Sequence, residues 1–441
     1  MKRTLRWTFL PATTLLFVVA CSHRPVQNHR TEPAWSVHAQ TTYNVQTHST
    51  FTAPYQGANS LQDRREGRGS FTATGFIGRT LWRGGEFYAN PEAIAGSGLS
   101  GVLGLAGPPN GETYRVDSQK LRLTLARAFM RQTWSLGGPT ETVTDSANQV
   151  ASIATRDRLV VTAGKFSGSD IFDDNSYAHD PRTQFNNWSV WETASWDYAA
   201  DTRGYTYGFS AELTRNAWTG RLGFFLEPRA ANGIHLDRDE RHAHGDVFEL
   251  EHDHTLEGHE GKVRGMAFVN HARMGSYREA LDRDPTAPDV TTTRKAGRIK
   301  FGFGLNAEQS LSSWLGAFLR AGWNDGHTEA WAFDEIERTI AIGLSATPVA
   351  MHRPNDRIGL AIVENGATAV HREYLASGGY GFMLGDGRLR YGSEHVVDTY
   401  YSWQIDNLVS FSAELQRYAN LAFNRDRGPL VVYGVRVHIQ Y

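Results

Sequence analysis

Five histidines, His242, His244, His252, His254 and His259, fall among Asp246, Glu249, Glu251 and Asp253, a density of imidazole and carboxylate donors that suits zinc. Ligands must converge on one point, however, and the H-E-x-x-H spacing that brings two onto one helix face is missing. An exposed loop running into a strand is expected there, with no metal site. Asp334, Glu335 and Glu337 offer carboxylate pairs for acid/base work on a glycosidic bond, but that reaction needs two carboxyls at a set separation, which sequence does not fix; they read as solvated loop carboxylates. Gly96-Ser97-Gly98-Leu99-Ser100-Gly101 fits the dinucleotide fingerprint, yet no strand is evident before it, and Gly104, Gly107, Pro108 and Pro109 stop a long helix after it. With no G-x-S-x-G elbow either, the expectation is no enzyme and no cofactor.

Any site must be positioned by the elements the composition allows. Lys+Arg 45 against Asp+Glu 47 gives a net charge of -2, without the basic excess of a nucleic-acid binder. A mean hydropathy of -0.45, and no apolar run of about 20 residues beyond the N-terminus, exclude a helical transporter. Glycine at 44 residues and aromatics at 12% suit a β-rich chain with many turns. The single cysteine, Cys21, rules out a disulfide framework. Lys2, Arg3 and Arg6 before the apolar stretch from Trp7 to Ala20 form the charged head and short body of a secretory signal, residues 1–21. Val18-Val19-Ala20-Cys21 resembles a lipoprotein processing site, making Cys21 a lipidation candidate; cleavage near Ala39 is the alternative, and mass spectrometry of the mature N-terminus separates the two. Residues 22–45 read as a flexible tether and 46–441 as the folded unit.

The folded unit alternates with period two, the mark of strands. Val431, Tyr433, Val435, Val437, Ile439 and Tyr441 share one face, with Arg436 and His438 on the other. The pattern recurs around Phe301, Phe209 and Leu319, and loosely at 218–226, 339–345, 357–363 and 397–405. Each run is close to the 9–11 residues that a tilted strand needs to cross a bilayer. Trp218, Trp323, Trp403, Tyr205 and Tyr441 would mark the interfacial girdles. A soluble sandwich uses the same alternation with its apolar faces inward. The other face decides for a water-filled lumen: Glu212, Arg221, Lys300, Phe318, Arg320, Asp398 and Arg436 all fall there. An arginine on the lipid face at mid-bilayer costs about 2–4 kcal/mol, so Arg320 is expected inward, where substitutions tune ion selectivity. Long charged connections at 229–244 and 282–295, against a tight turn at Asn407, match the unequal ends of an outer-membrane barrel.

The sequence resembles the carbohydrate-selective porins of Gram-negative outer membranes, the OprB type, over residues 45–441. The resemblance lies in Leu81-Trp82-Arg83-Gly84-Gly85-Glu86-Phe87-Tyr88-Ala89-Asn90-Pro91-Glu92, Ala106-Gly107-Pro108-Pro109-Asn110-Gly111-Glu112 and Asp170-Ile171-Phe172-Asp173-Asp174-Asn175. It continues through Tyr177-Ala178-His179-Asp180-Pro181-Arg182, Arg320-Ala321-Gly322-Trp323-Asn324-Asp325-Gly326 and Asn424-Arg425-Asp426-Arg427-Gly428-Pro429. Asp174 and the terminal Tyr441 depart from the family pattern. The resemblance implies an all-β, sixteen-stranded antiparallel transmembrane barrel with inserted loops, through which mono- or disaccharides diffuse down their gradient. It also points to Arg79, Arg83, Glu86 and Glu92, and to the block holding Asp173, Asn175 and Arg182, as the constriction. The partners it implies are small sugars, the lipid bilayer with its lipopolysaccharide, and the outer-membrane assembly machinery, with monomer and trimer both open and no nucleic acid. A non-selective pore and a soluble glycan-binding or glycan-cleaving lipoprotein are the alternatives.

Overall fold

The computed structural model of the protein describes residues 34–114 and 120–441. The expected signal, Cys21 and the first part of the tether lie outside the described residues. Sixteen antiparallel strands close into one barrel. They are β1 (Trp35–His48), β2 (Glu66–Trp82), β3 (Gly85–Gly96), β4 (Arg122–Val143), β5 (Ser152–Phe166), β6 (Thr206–Arg215), β7 (Trp218–Leu226) and β8 (His244–Leu256), followed by β9 (His259–Ala272), β10 (Arg298–Ser312), β11 (Leu315–Asn324), β12 (Arg338–Ala346), β13 (Arg357–Gly366), β14 (Glu394–Gln404), β15 (Val409–Ala419) and β16 (Leu430–Gln440).

Each strand pairs with its neighbours in sequence, and β1 closes the circle against β16, with Gln40 opposite Gln440 and Val45 opposite Val435. Ala39 and Tyr441 exchange both backbone bonds, at 3.0 and 2.8 Å. In hydrocarbon no water can satisfy a free sheet edge, so closure is what makes the sheet tolerable there. The barrel wall therefore begins at Trp35, inside the segment expected to be tether. Its outward row, Trp35, Val37, Ala39, Thr41, Tyr43 and Val45, is only partly apolar, which hides the alternation. A cut near Ala39 would remove the part of β1 that pairs Trp35 to Ala39 with Arg79 to Gly75.

The apolar rows face out. On β10, Ile299, Phe301, Phe303 and Leu305 are exposed, while Lys300, Asn306 and Glu308 are buried inside; this decides between lumen and soluble core. Trp218, Trp323, Trp403 and Tyr441 are outward and exposed, as expected of girdles, but Tyr205 is buried. It belongs to a turn, its N–H donating to Asp201 Oδ1 at 3.3 Å, and so precedes the alternation of β6. The histidine-rich stretch is mostly the β8–β9 hairpin and not an exposed loop. A strand, β3, does lead into the glycine motif, but a single turn at Leu99–Gly101 follows it, with the Ser100 N–H on Glu66.

One end of the barrel carries tight connections at 83–84, 216–217, 257–258 and 313–314, and the other carries 49–65, 167–205, 227–243, 273–297 and 367–393. In outer-membrane barrels short turns face the periplasm and long loops face out. Among the described residues no helix is long and apolar enough to cross a membrane. Removing residues 431–441 is expected to abolish membrane insertion, because β15 and β1 would be left as open edges in lipid. Heat-modifiable migration on a gel, which reports the folded barrel, checks this: a truncated chain that still shows it would unseat β16 as the closing strand.

Candidate functional site

The lumen is not an open tube. Residues 167–205 fold inward and are fixed to one side of the wall. Ser176 N–H reaches Glu308 Oε2 on β10 at 2.5 Å, Asn186 N–H reaches Glu414 on β15, and Asn187 Nδ2 reaches Gln416 Oε1 at 2.9 Å. From the wall, Arg436 on β16 donates to the carbonyls of Pro181 and Gln184, Asn324 on β11 to that of Ser195, and Lys300 on β10 to the Asp197 carboxylate at 2.9 Å. Within the loop, Asn187 accepts from the Ser189 N–H to start the single turn α1 (Trp188–Trp191).

Arg320 is the hub of these contacts. Fully buried on β11, it ion-pairs with Asp173 at 3.1 Å and donates to the carbonyls of Asp173, Ala178 and Val190 at 2.8, 2.5 and 2.9 Å. Asp173 also accepts from Thr193 N–H at 2.6 Å and from Asn306 Nδ2 at 2.7 Å. Asn175 donates to Asn306 at 2.8 Å, and Phe185 packs edge-on to Phe318, centroids 5.6 Å apart.

With the loop held against β8–β16, the two larger cavities lie along β2–β9, and a third of ≈ 230 Å³ lies at β13–β16 beside Thr183, lined by Arg357, Ser402 and His438. A cavity of ≈ 280 Å³ is lined by Glu92, Glu112, Arg127, Asp170, Arg182 and Tyr205, together with Trp188, Trp191, Tyr198 and Phe333. A larger one of ≈ 780 Å³ is lined by Arg83, Glu86, Arg131, Asp170, Glu212, Arg221 and Lys262. Both cavities touch β3, the smaller at Glu92 and the larger at Glu86 nearer the short turns, and both contain Asp170. Between them Arg127 grips Asp170 with two bonds, at 2.7 and 2.5 Å, beneath the Tyr205 ring. Tyr205 donates to Glu92 at 3.2 Å, and Arg182 bridges Glu92 at 3.5 Å and Glu112 at 2.5 Å. Phe333 stacks between Trp188 and Tyr198, at 5.1 and 4.3 Å.

The model of the carbohydrate-selective porin family, OprB, matches residues 78–441. The chain belongs to this family. The fold agrees with OprB of Pseudomonas putida, solved at high pH, at 15% identity and TM-score 0.69, over 92% of this chain and 94% of that one. It also agrees with the outer membrane channel DcaP of Acinetobacter baumannii, at 8% identity and TM-score 0.52, over 95% and 100%. A search of curated protein sequences finds no match. The protein is thus an outer-membrane porin for sugar diffusion, a channel built as a closed barrel.

Within the porin, the residues singled out by sequence separate. Glu92 and Arg182 meet at the smaller cavity, whereas Arg83, Glu86, Glu212 and Arg221 line the larger one. Asp173, Asn175, Lys300, Phe318, Arg320, Asp398 and Arg436 are buried inside the wall but line neither of these two cavities; Arg320 bridges the wall to the inserted loop. Arg79 points outward, its guanidinium 4.8 Å from the centre of the Trp35 ring, because on β2 it shares the face of Ile77. Sequence reasoning missed Arg127 for a definite reason. Asn90 pairs with Arg127 but Pro91 with Leu125, so β4 bulges by one residue. That slip swaps faces: Leu123 and Leu125 look outward, yet two residues later Arg127 looks in.

The periplasmic side of the porin has its own inserted piece. The β4–β5 hairpin bends at Gly137 and Gly138, both at positive φ, where the register shifts. Its tip reaches back inside: Asn90 donates to Asn148 at 2.8 Å, the Val150 N–H to the Tyr88 hydroxyl at 3.1 Å, and Ser36 to the Ser146 carbonyl at 3.3 Å. Residues 149–152 then line the larger cavity.

The carboxylates proposed for hydrolysis are buried, not solvated. Glu335 accepts the Met383 and Leu384 N–H groups, and Glu337 accepts from His371 Nδ1 at 2.8 Å and from the Thr368 N–H, so they tie outer loops together. Burial opposes the Asp170 charge, but the Arg127 guanidinium holds it below the usual carboxylate range. Glu192 is different: burial, with Asp173 and Asp334 nearby, pushes it well above its ordinary value of 4.5.

Two outcomes follow. Arg320→Leu is expected to leave the barrel inserted but to release the loop, since breaking a buried pair costs about 3–5 kcal/mol; single-channel currents should be larger and noisier, and wild-type currents would remove Arg320 from the anchoring role. For Glu192, a raised folded value means that its support for the loop is full below 4.5 and is lost as pH rises through the raised value. Channel noise should therefore grow as pH rises above 4.5 and through the raised value, and less so in Glu192→Gln; an equal rise in both would clear Glu192.

Proposed function

We infer that the throat of this porin is the ring of Arg127, Asp170, Glu92, Tyr205, Arg182 and Glu112, and that a mono- or disaccharide passes it passively from the smaller cavity to the larger. The observation that carries this reading is Asp170, common to the walls of both cavities and clamped by Arg127 between them. The ring sets two guanidiniums against three carboxylates, Arg127 on Asp170 and Arg182 on Glu92 and Glu112, so it offers both donors and acceptors to hydroxyls. Beside them the stacked rings of Trp188, Phe333 and Tyr198 give an apolar plane for the C–H face of a sugar, the mix of apolar wall and few polar groups that small-molecule sites use. The indole N–H groups of Trp188 and Trp191 and the His179 Nδ1, all in this wall, have no partner within the protein.

The solute is the partner that crosses; lipid and lipopolysaccharide surround the wall, and the machinery that inserts barrels supplies the assembly step. A wide, unfilled lumen would favour non-selective diffusion, whereas here the inserted loop reduces the passage to a small aromatic chamber.

Arg182→Ala removes a charge-assisted partner of the ring, worth about 1.5–3 kcal/mol. It is expected to raise ion conductance and to weaken block of the current by glucose about tenfold. Sugar block unchanged in Arg182→Ala, with the barrel intact, would move the throat elsewhere.

A further inference from the structure

On the outer wall, His244 and Asp246 of β8 and His271 of β9 each offer one ligand atom, and the three atoms lie within 4.8 Å of one another. We propose that these three residues form a binding site for a single zinc-class divalent ion at the long-loop rim of the barrel.

The geometry follows from the sheet. His244 and Asp246 are two residues apart on one strand and share a face, and His271 stands directly opposite His244 in the register. Residues spaced i, i+2 with a cross-strand partner make a triangle whose sides match strand dimensions, a rigid frame for three ligands. His244 Nε2 already lies 3.3 Å from Asp246 Oδ2, about the edge of a tetrahedron whose metal–ligand bonds are about 2.0–2.2 Å. Phe224 packs at 5.1 Å on the His244 ring and holds it, while the His271 ring, stacked on it at 4.5 Å and 22°, must turn about its side-chain bonds to direct its in-plane lone pair at the same ion. Two imidazoles and one carboxylate leave a fourth position open to water.

Location fits as well. His244 is the first residue of β8 and His271 the last but one of β9, so the site sits where the wall meets the long outer loops. The Asp246 side chain is 53% exposed, and Phe248 and Ile299 on the same outer surface are exposed apolar residues. The ion would lie at headgroup level, above the hydrocarbon, and would tie β8 to β9 at the rim. Only His244 of the five clustered histidines takes part. His252 instead stacks on Trp218 at 4.2 Å, and His254 bonds to Gln309 at 2.9 Å.

The test uses the full chain as a detergent-solubilised barrel, titrated with zinc alone by calorimetry. One ion per chain is expected. Affinity should fall by more than about 100-fold in His271→Ala, beyond the 10–100-fold that loss of an outer-sphere partner costs. His252→Ala should bind as the wild type does, and binding should weaken from about pH 7.5 to about pH 5.5, because ligating imidazoles must be neutral. Zinc should also raise the thermal midpoint of the wild type but not of His271→Ala. Heat-modifiable migration confirms that each variant is folded, and His271→Asn repeats the test if the alanine variant fails to assemble. Absence of saturable one-to-one binding, or binding that survives at His271, would overturn the proposal and leave the pair as an ordinary His–Asp contact.

Discussion

Arg320 is brought inside the barrel because Leu319 and Ala321 occupy the lipid face, and a guanidinium so enclosed must find acceptors for its five N–H groups. They are supplied by Asp173 and by the carbonyls of Asp173, Ala178 and Val190. The rest of the passage depends on that exchange. It satisfies backbone groups that an inserted loop would otherwise bury unpaired, and it fixes the loop against one half of the wall, so that the two larger cavities lie along β2–β9. The proposed throat is in this sense what remains after the anchoring is complete.

The strands that obey strict alternation were readable from sequence. β10, β11 and β16 have apolar rows without interruption, and the polar rows opposite them face the lumen as period two requires. β1 was hidden because Ala39 and Thr41 dilute its outward row. Arg127 is hidden by the β4 bulge, whose one local sign is Pro91 on the facing strand, and the face of Arg79 follows from its parity with Ile77. What sequence could not yield was which inward charges meet. Lys300 and Glu92 have the same status in an alternation pattern, yet one is locked to Asp197 and the other stands at a cavity. That difference is set by where residues 167–205 cross the lumen, a tertiary fact with no signature in any single strand.

Most charges inside this barrel are spent on one another. Arg221 meets Glu212, Glu249 and Glu251, and Arg264 meets Glu251, so the vestibule wall is densely ionic. For a solute without charge such a wall is rich in hydrogen-bonding partners.

The β4–β5 hairpin carries a consequence for how the channel can change over generations. The outer chamber is shaped by residues 167–205 and the loops packed on them, whereas the floor of the vestibule is shaped by a tip hung from Gly137 and Gly138. The two pieces of chain are separated only by β5, yet they come from opposite ends of the barrel. Substitutions at 144–151 can reshape the exit and leave the entry chamber as it is, so entry preference and exit rate are open to selection one at a time.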